Sequence, residues 1–194
     1  MASAHVPELN RPGGSSPGLS TTPAALLRAI DGGQTGALSP VSVGDLLGRG
    51  AVALRLGAGD KRRVLSMVAE LSARNSGVKA PLIFDALMQR EGTGSTGVGH
   101  GVAIPHARVP GLAKMKGVFV RLSTPVEFEA VDDRPIDLVF ALLAPIDCGS
   151  EHLRALSRVA RLMRDPELRR QLRIAPNSAA IHALLTQQAQ PSAA

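Results

Sequence analysis

Apolar residues follow two rhythms along this chain. At helical spacing, Val64, Val68 and Leu71 stand at i, i+4 and i+7 behind Asp60, a good helix cap. Pro81 opens a second helix with Leu82, Ile83, Leu87 and Met88, ending around Arg90-Glu91. The spacing predicts a long helix over Glu151–Asp165 with Leu153, Leu156, Ala160 and Met163 inward, then shorter helices over Pro166–Arg173 and Ser178–Gln188. Short apolar runs at Ala51–Leu56, Val102–Ile104, Val118–Leu122 and Asp137–Leu143 read as strands. The last is nearly all apolar, as expected of a central strand covered on both faces. Strands alternating with helices predict an α/β domain with helices on both sides of a sheet. No internal repeat is visible.

Residues 1–37 lack this patterning. They are rich in Pro, Gly, Ser and Thr, and such a stretch buries too little apolar surface to offset its ordering entropy. It is expected to be a disordered extension, with the folded domain spanning 38–194. One short helix is possible within it: Thr22 as cap, Pro23 in the first turn, and Leu26, Leu27 and Ile30 on one side. So short a helix persists only when docked. Glu8 and Asp31 balance Arg11 and Arg28, so the net charge of +6 belongs to the remainder.

Composition narrows the function. With 2% aromatic residues and neither Trp nor Tyr, the core is aliphatic and base stacking on single-stranded nucleic acid is not expected. The basic charge admits either an anionic partner or merely an Arg-rich surface, since no polybasic run occurs. A single cysteine, Cys148, excludes an intrachain disulfide and a Cys-based zinc site. No signal peptide is visible and no apolar run reaches the ~20 residues of a membrane span, so a cytoplasmic location is expected.

The most unusual segment is Gly92-Thr93-Gly94-Ser95-Thr96-Gly97-Val98-Gly99-His100-Gly101, half of it glycine. Such a loop can turn backbone amides and hydroxyls toward an anion, or simply connect two elements. Gly92, Gly94 and Gly97 match G-x-G-x-x-G, but the match follows a helix and leads into a strand, the reverse of the dinucleotide-binding order. No Gly-Lys-Ser/Thr occurs, so a nucleotide P-loop is excluded. The loop runs into Val102-Ala103-Ile104-Pro105-His106-Ala107-Arg108. Proline cannot continue a central strand, so His106 is expected to project, solvent-facing, from a rigid strand end beside the loop. A neutral imidazole there is a competent nucleophile near pH 7 and can carry a phosphoryl group. His100, six residues earlier, makes no metal-ligand spacing with it, and neither metal nor cofactor is expected.

The run from Glu91 through Val98-Gly99-His100-Gly101-Val102-Ala103-Ile104-Pro105-His106-Ala107 resembles the phosphorylation-site signature of the mannitol/fructose-type IIA components of the bacterial phosphotransferase system. The wider chain, about 38–188, is similar to their nitrogen-regulatory IIA-Ntr branch. Supporting stretches are Leu47-Gly48-Arg49-Gly50, Gln89-Arg90-Glu91 with Gly94-Ser95-Thr96-Gly97, and Asp137–Pro145 leading to Glu151-His152-Leu153. Ala107 stands where the family most often has glycine. The resemblance implies a three-layer α/β/α sandwich with a mixed sheet, and phosphorylation of His106 by a small HPr-like carrier. It also implies active-site roles for Arg90 and His152. On residue chemistry alone, Arg90 reads first as a helix C-terminal cation, and His152 as a partner for the phosphoryl group or a strand-end cap. Gly94, Ser95, Thr96 and Gly97 are expected to cradle the phosphate.

Three functions fit this reading. One is a phosphorylation-dependent regulator acting through target proteins. Another is a sugar-transport IIA component that passes phosphate to a IIB domain. The last is a binding module that has lost transfer; the intact set Arg90, His106 and His152 argues against it.

Overall fold

The computed structural model describes residues 42–187. The expected N-terminal extension and its Thr22–Ile30 helix lie outside the described residues. The elements are α1 (Val43–Leu46), β1 (Leu47–Leu56), α2 (Lys61–Ser76), α3 (Ala80–Glu91), β2 (Gly97–Gly99), β3 (Val102–Ala103), β4 (His106–Arg108), β5 (Lys116–Val126), β6 (Ile136–Ala144), α4 (Glu151–Arg164), α5 (Pro166–Ile174) and α6 (Ser178–Gln187).

Local chemistry sets most boundaries. Asp60 starts α2 by accepting a bond from the Arg63 amide at 2.7 Å, and Gly77 ends it in the left-handed conformation. Asp165 caps α5 through the amides of Glu167 and Leu168, with Pro166 in the first turn.

The sheet is mixed, in the order β1-β5-β6-β3-β2, with β4 also on β6. β1 runs parallel to β5, β5 antiparallel to β6, and β3 and β4 both parallel to β6. Helices α2 and α3 pack on each other, while α1, α4, α5 and α6 form a second connected set. This is the three-layer α/β/α sandwich. Of the nine residues of β6, only Asp137 is not buried, because both faces of this central strand are covered. Phe119 of β5 meets Phe140 of β6 edge-on in the core.

Two expectations about elements fail. The strand does not end at Pro105. It breaks there and resumes as β4, with His106 opposite Leu142. Proline is tolerated because β4 is an edge segment, paired with β6 alone, and the local contact uses its carbonyl, which accepts from the Leu142 amide at 2.9 Å. Leu153 is not inward. It is 47% exposed, and His152 takes the buried place on α4 with Ala155, Leu156, Val159, Ala160 and Met163.

Candidate functional site

The fold brings Arg90, His106 and His152 together from three elements. Arg90 lies on the last turn of α3, His106 opens β4, and His152 stands at the second position of α4. The Arg90 Nε donates to His106 Nε2 at 3.0 Å. The rings of His106 and His152 lie 5.7 Å apart, centre to centre, tilted by 44°. His106 is 6% exposed and His152 7%, so the solvent-facing placement expected for His106 is wrong. Because β4 rejoins the sheet, the His106 ring is drawn in beneath Arg90 and against His152.

The hydrogen bonds fix the tautomer of His106. Its Nδ1 lies 2.9 Å from the Ile104 carbonyl. A carbonyl can only accept, so Nδ1 carries the proton. Nε2 then holds the lone pair, toward which Arg90 points its N–H. Burial, reinforced by the charges of Arg90 and His152 and opposed by the Ile104 bond, pushes His106 down to about 4. His152 is held at about 4 by burial first, then by Arg108 and Arg90. Both imidazoles are therefore neutral at pH 7, and His106 offers a nucleophilic Nε2.

The glycine-rich segment does not form an open cradle. Gly97–Gly99 is a strand, paired antiparallel with β3 through the turn at His100-Gly101. His100 and Gly101 both have positive φ, at 57° and 78°, as a tight hairpin turn requires. At Gly97 a Cβ atom would come within 2.8 Å of Ala130, so only glycine fits that close approach. The hydroxyls expected to face an anion are spent inside the protein. Ser95 Oγ donates to the Phe128 carbonyl at 2.6 Å, and Thr96 Oγ1 to the Glu91 carboxylate at 2.6 Å. Of this segment, Thr93 and Gly94 meet Arg90: the Thr93 hydroxyl accepts from Nη1 at 3.2 Å and the Gly94 carbonyl at 2.9 Å.

Three residues had no role in the sequence reading. Glu91 is buried, accepts from both the amide and the hydroxyl of Thr96, and pairs with Lys61 at 2.9 Å. Lys61 also reaches Glu129, at 3.0 Å. The group ties the end of α3, the loop and the start of α2 together beside Arg90. Arg108 donates to the carbonyls of Ile146 and Gly149 at the entrance to α4. The signal for Glu91 was its adjacency to Arg90. For Arg108 it was alternation, which puts residues two apart on the same side of a strand, here His106 and Arg108.

A buried, neutral histidine whose Nε2 lone pair faces an arginine has the chemistry to accept an anionic group. Residues 45–188 match the family described as phosphoenolpyruvate-dependent sugar phosphotransferase system, EIIA 2. The chain belongs to that family. Within it, the chain is 43% identical over 141 residues to a nitrogen regulatory protein of Bradyrhizobium diazoefficiens, covering 73% of this chain and 92% of that one. The crystal structure of nitrogen regulatory protein IIA-Ntr from Neisseria meningitidis matches with a TM-score of 0.71 at 35% identity, covering 74% of this chain and 99% of that one. The mannitol IIA of Escherichia coli, in complex with phosphorylated enzyme IIB, shares the fold at a TM-score of 0.62 and 19% identity, covering 73% of this chain and 99% of that one. No helix among the described residues is long and apolar enough to cross a membrane.

Proposed function

We propose that this chain is a cytoplasmic phosphocarrier of the nitrogen-related phosphotransferase system, phosphorylated on Nε2 of His106 by an HPr-like carrier and read by regulatory target proteins. The observation that carries the proposal is the His106 tautomer, with Nδ1–H on the Ile104 carbonyl and the Nε2 lone pair directed at Arg90.

The step balances without a general base. The Nε2 lone pair forms the new N–P bond as the N–P bond of the donor phosphohistidine breaks, and the electron pair of that bond returns to the donor ring. His106 keeps its proton on Nδ1, and the Ile104 carbonyl stabilises the positive charge that develops on the ring. Arg90 then shifts its N–H groups from Nε2 to the incoming phosphoryl oxygens, where a fixed guanidinium spreads their charge. His152 flanks the other side. Ile146 and Leu153, each about half exposed beside Arg108 and His152, suit the docking of a protein donor.

A regulatory role is favoured over sugar transport by the extent of the likeness: 43% over 141 residues to a nitrogen regulator, against 40% over 88 residues to a fructose-specific EIIA component and 31% over 148 to a fructose-specific EIIABC component. Transfer of the phosphoryl group from His106 to a IIB protein would reverse that preference. The transfer unit is the domain from Leu38 onward.

The test is incubation with phosphoenolpyruvate, the first enzyme of the system and an HPr-like carrier, followed by mass spectrometry. The chain takes one acid-labile, base-stable phosphoryl group. His106→Ala takes none while still melting cooperatively, and a chain beginning at Leu38 is labelled at the full rate. Label persisting in His106→Ala overturns the assignment.

A further inference from the structure

His152 has no bond of its own that orients its ring at Nδ1. That atom is buried and has no hydrogen-bond partner among the described residues. The direction of the ring therefore depends on where the first turn of α4 sits. That turn is weakly determined by its own sequence. Ser150 precedes the helix but makes no side-chain cap bond, Gly149 is left-handed at φ 56°, and the bond from the Cys148 amide to the Pro145 carbonyl is long at 3.4 Å. An entry turn without a side-chain cap loses the usual means of fixing a helix start.

Arg108 supplies the missing constraint. Its Nη1 donates to the Ile146 carbonyl at 2.9 Å and its Nη2 to the Gly149 carbonyl at 3.1 Å. One planar fork thus spans the entry turn and anchors it to β4, the strand that begins with His106. Strand alternation puts Arg108 on the same side as His106. The β4 backbone is in turn fixed to β6, with Arg108 opposite Ala144. The path from nucleophile to second histidine is short: His106, Arg108, the Ile146–Gly149 carbonyls, His152.

We propose that Arg108 is a positioning residue that sets the start of α4, and with it the His152 ring, against His106 so that both imidazoles address one phosphoryl group. The proposal rests on the reading of His106 as the phosphoryl acceptor. Lysine cannot replace it, because an ammonium is a point charge without a fixed fork and does not hold two carbonyls in a set geometry. The charge of Arg108 also acts on His152, disfavouring its protonation. That gives a signature which separates charge from geometry.

The experiment compares Arg108→Gln and Arg108→Lys with wild type and with Arg154→Gln, an exposed cation on the outer face of α4. Single-turnover transfer from the phosphorylated HPr-like carrier is measured across carrier concentrations, and the imidazole resonances are titrated by NMR. Both Arg108 variants are expected to lower the saturated rate by roughly ten- to a hundredfold, the scale of a misplacement of about 1 Å. The carrier concentration at half saturation stays within about twofold of wild type, because positioning acts after docking. Arg154→Gln leaves the saturated rate unchanged. The His152 resonances shift in both variants. Its pKa rises in Arg108→Gln and stays low in Arg108→Lys, which keeps the charge. A saturated rate equal to wild type, with only the half-saturation point raised, overturns the proposal and makes Arg108 a docking residue. Unmoved His152 resonances overturn it as well. If wild type itself accepts no phosphoryl group, the acceptor reading has failed, and the NMR arm still decides whether Arg108 sets His152.

Discussion

Arg90 and His152 flank the same imidazole, but the protein holds them in opposite ways. The Arg90 side is locked by charge and hydrogen bonds. Arg90 bonds to His106, Thr93 and Gly94, and next to it the buried Glu91 binds Lys61 and both donors of Thr96. Among the described residues, the His152 side has a helix start without a side-chain cap, an unpartnered buried Nδ1 and one arginine tether to the loop before it. The difference teaches that the site has a rigid wall and an adjustable one. Under the proposed function, a guanidinium that meets phosphoryl oxygens gains from being preorganised. The start of α4 relies on the Arg108 fork to the Ile146 and Gly149 carbonyls.

The largest expected effect is on the rigid wall. Arg90→Ala removes a preorganised donor, and such losses typically cost about 10²–10³ in rate. Rapid-quench transfer at saturating carrier measures it, and a rate within threefold of wild type, taken as roughly the scatter of such assays, would remove Arg90 from the transition state. Glu91→Gln tests the lock itself. It leaves Lys61 without its buried partner and Thr96 with one strong acceptor fewer, an expected loss on the order of 3 kcal/mol of stability. The urea midpoint reports it. If the midpoint holds, the wall is rigid for another reason.

A smaller effect separates the two histidines by pH. Each is held near 4 in the folded chain, against an ordinary value of 6.5. Between those values the unfolded chain binds more protons than the native one, so stability rises with pH there. The full contribution is present above about pH 6.5 and is lost as pH falls toward 4, on the order of 3 kcal/mol for each histidine. Carboxylates titrate in the same range, so the comparison is with His152→Gln. The variant should lose less stability than wild type between pH 7 and pH 4.5. Parallel curves for the two proteins would show that His152 is not held neutral by the fold.

The smallest effect is expected from Arg154, Arg158 and Arg161. They recur along α4 away from its buried His152 face, Arg154 and Arg161 exposed and Arg158 half-buried. Exposed charges act mainly on association and are screened within about 10 Å at 0.1 M salt. Changing all three to Gln should leave the saturated transfer rate alone and flatten the salt dependence of transfer at low carrier concentration by no more than about twofold. A larger change would place the carrier across this face.

Much of this protein was legible in its sequence, and the physical reason is locality. Helical periodicity located α2, α3 and α4, the cap at Asp60 fixed the start of α2, and the unbroken apolar run near residue 140 marked the central strand. His106 could be singled out because Ile104-Pro105-His106 beside a glycine-rich segment is a local pattern. What only the tertiary structure decided came from contacts distant in sequence. β2 is a run of two glycines around a valine, with no strand preference of its own, and forms because β3 pairs with it. β4 survives Pro105 because β6 accepts it at an edge. Burial of His106, the inward place of His152 and the outward turn of Leu153 follow from how α4 meets the sheet. The direction of the Ser95 and Thr96 hydroxyls, the Glu91–Lys61 pair and the Arg108 tether depend on partners that no periodicity encodes. A charged side chain reads as exposed until the fold supplies its counterpart.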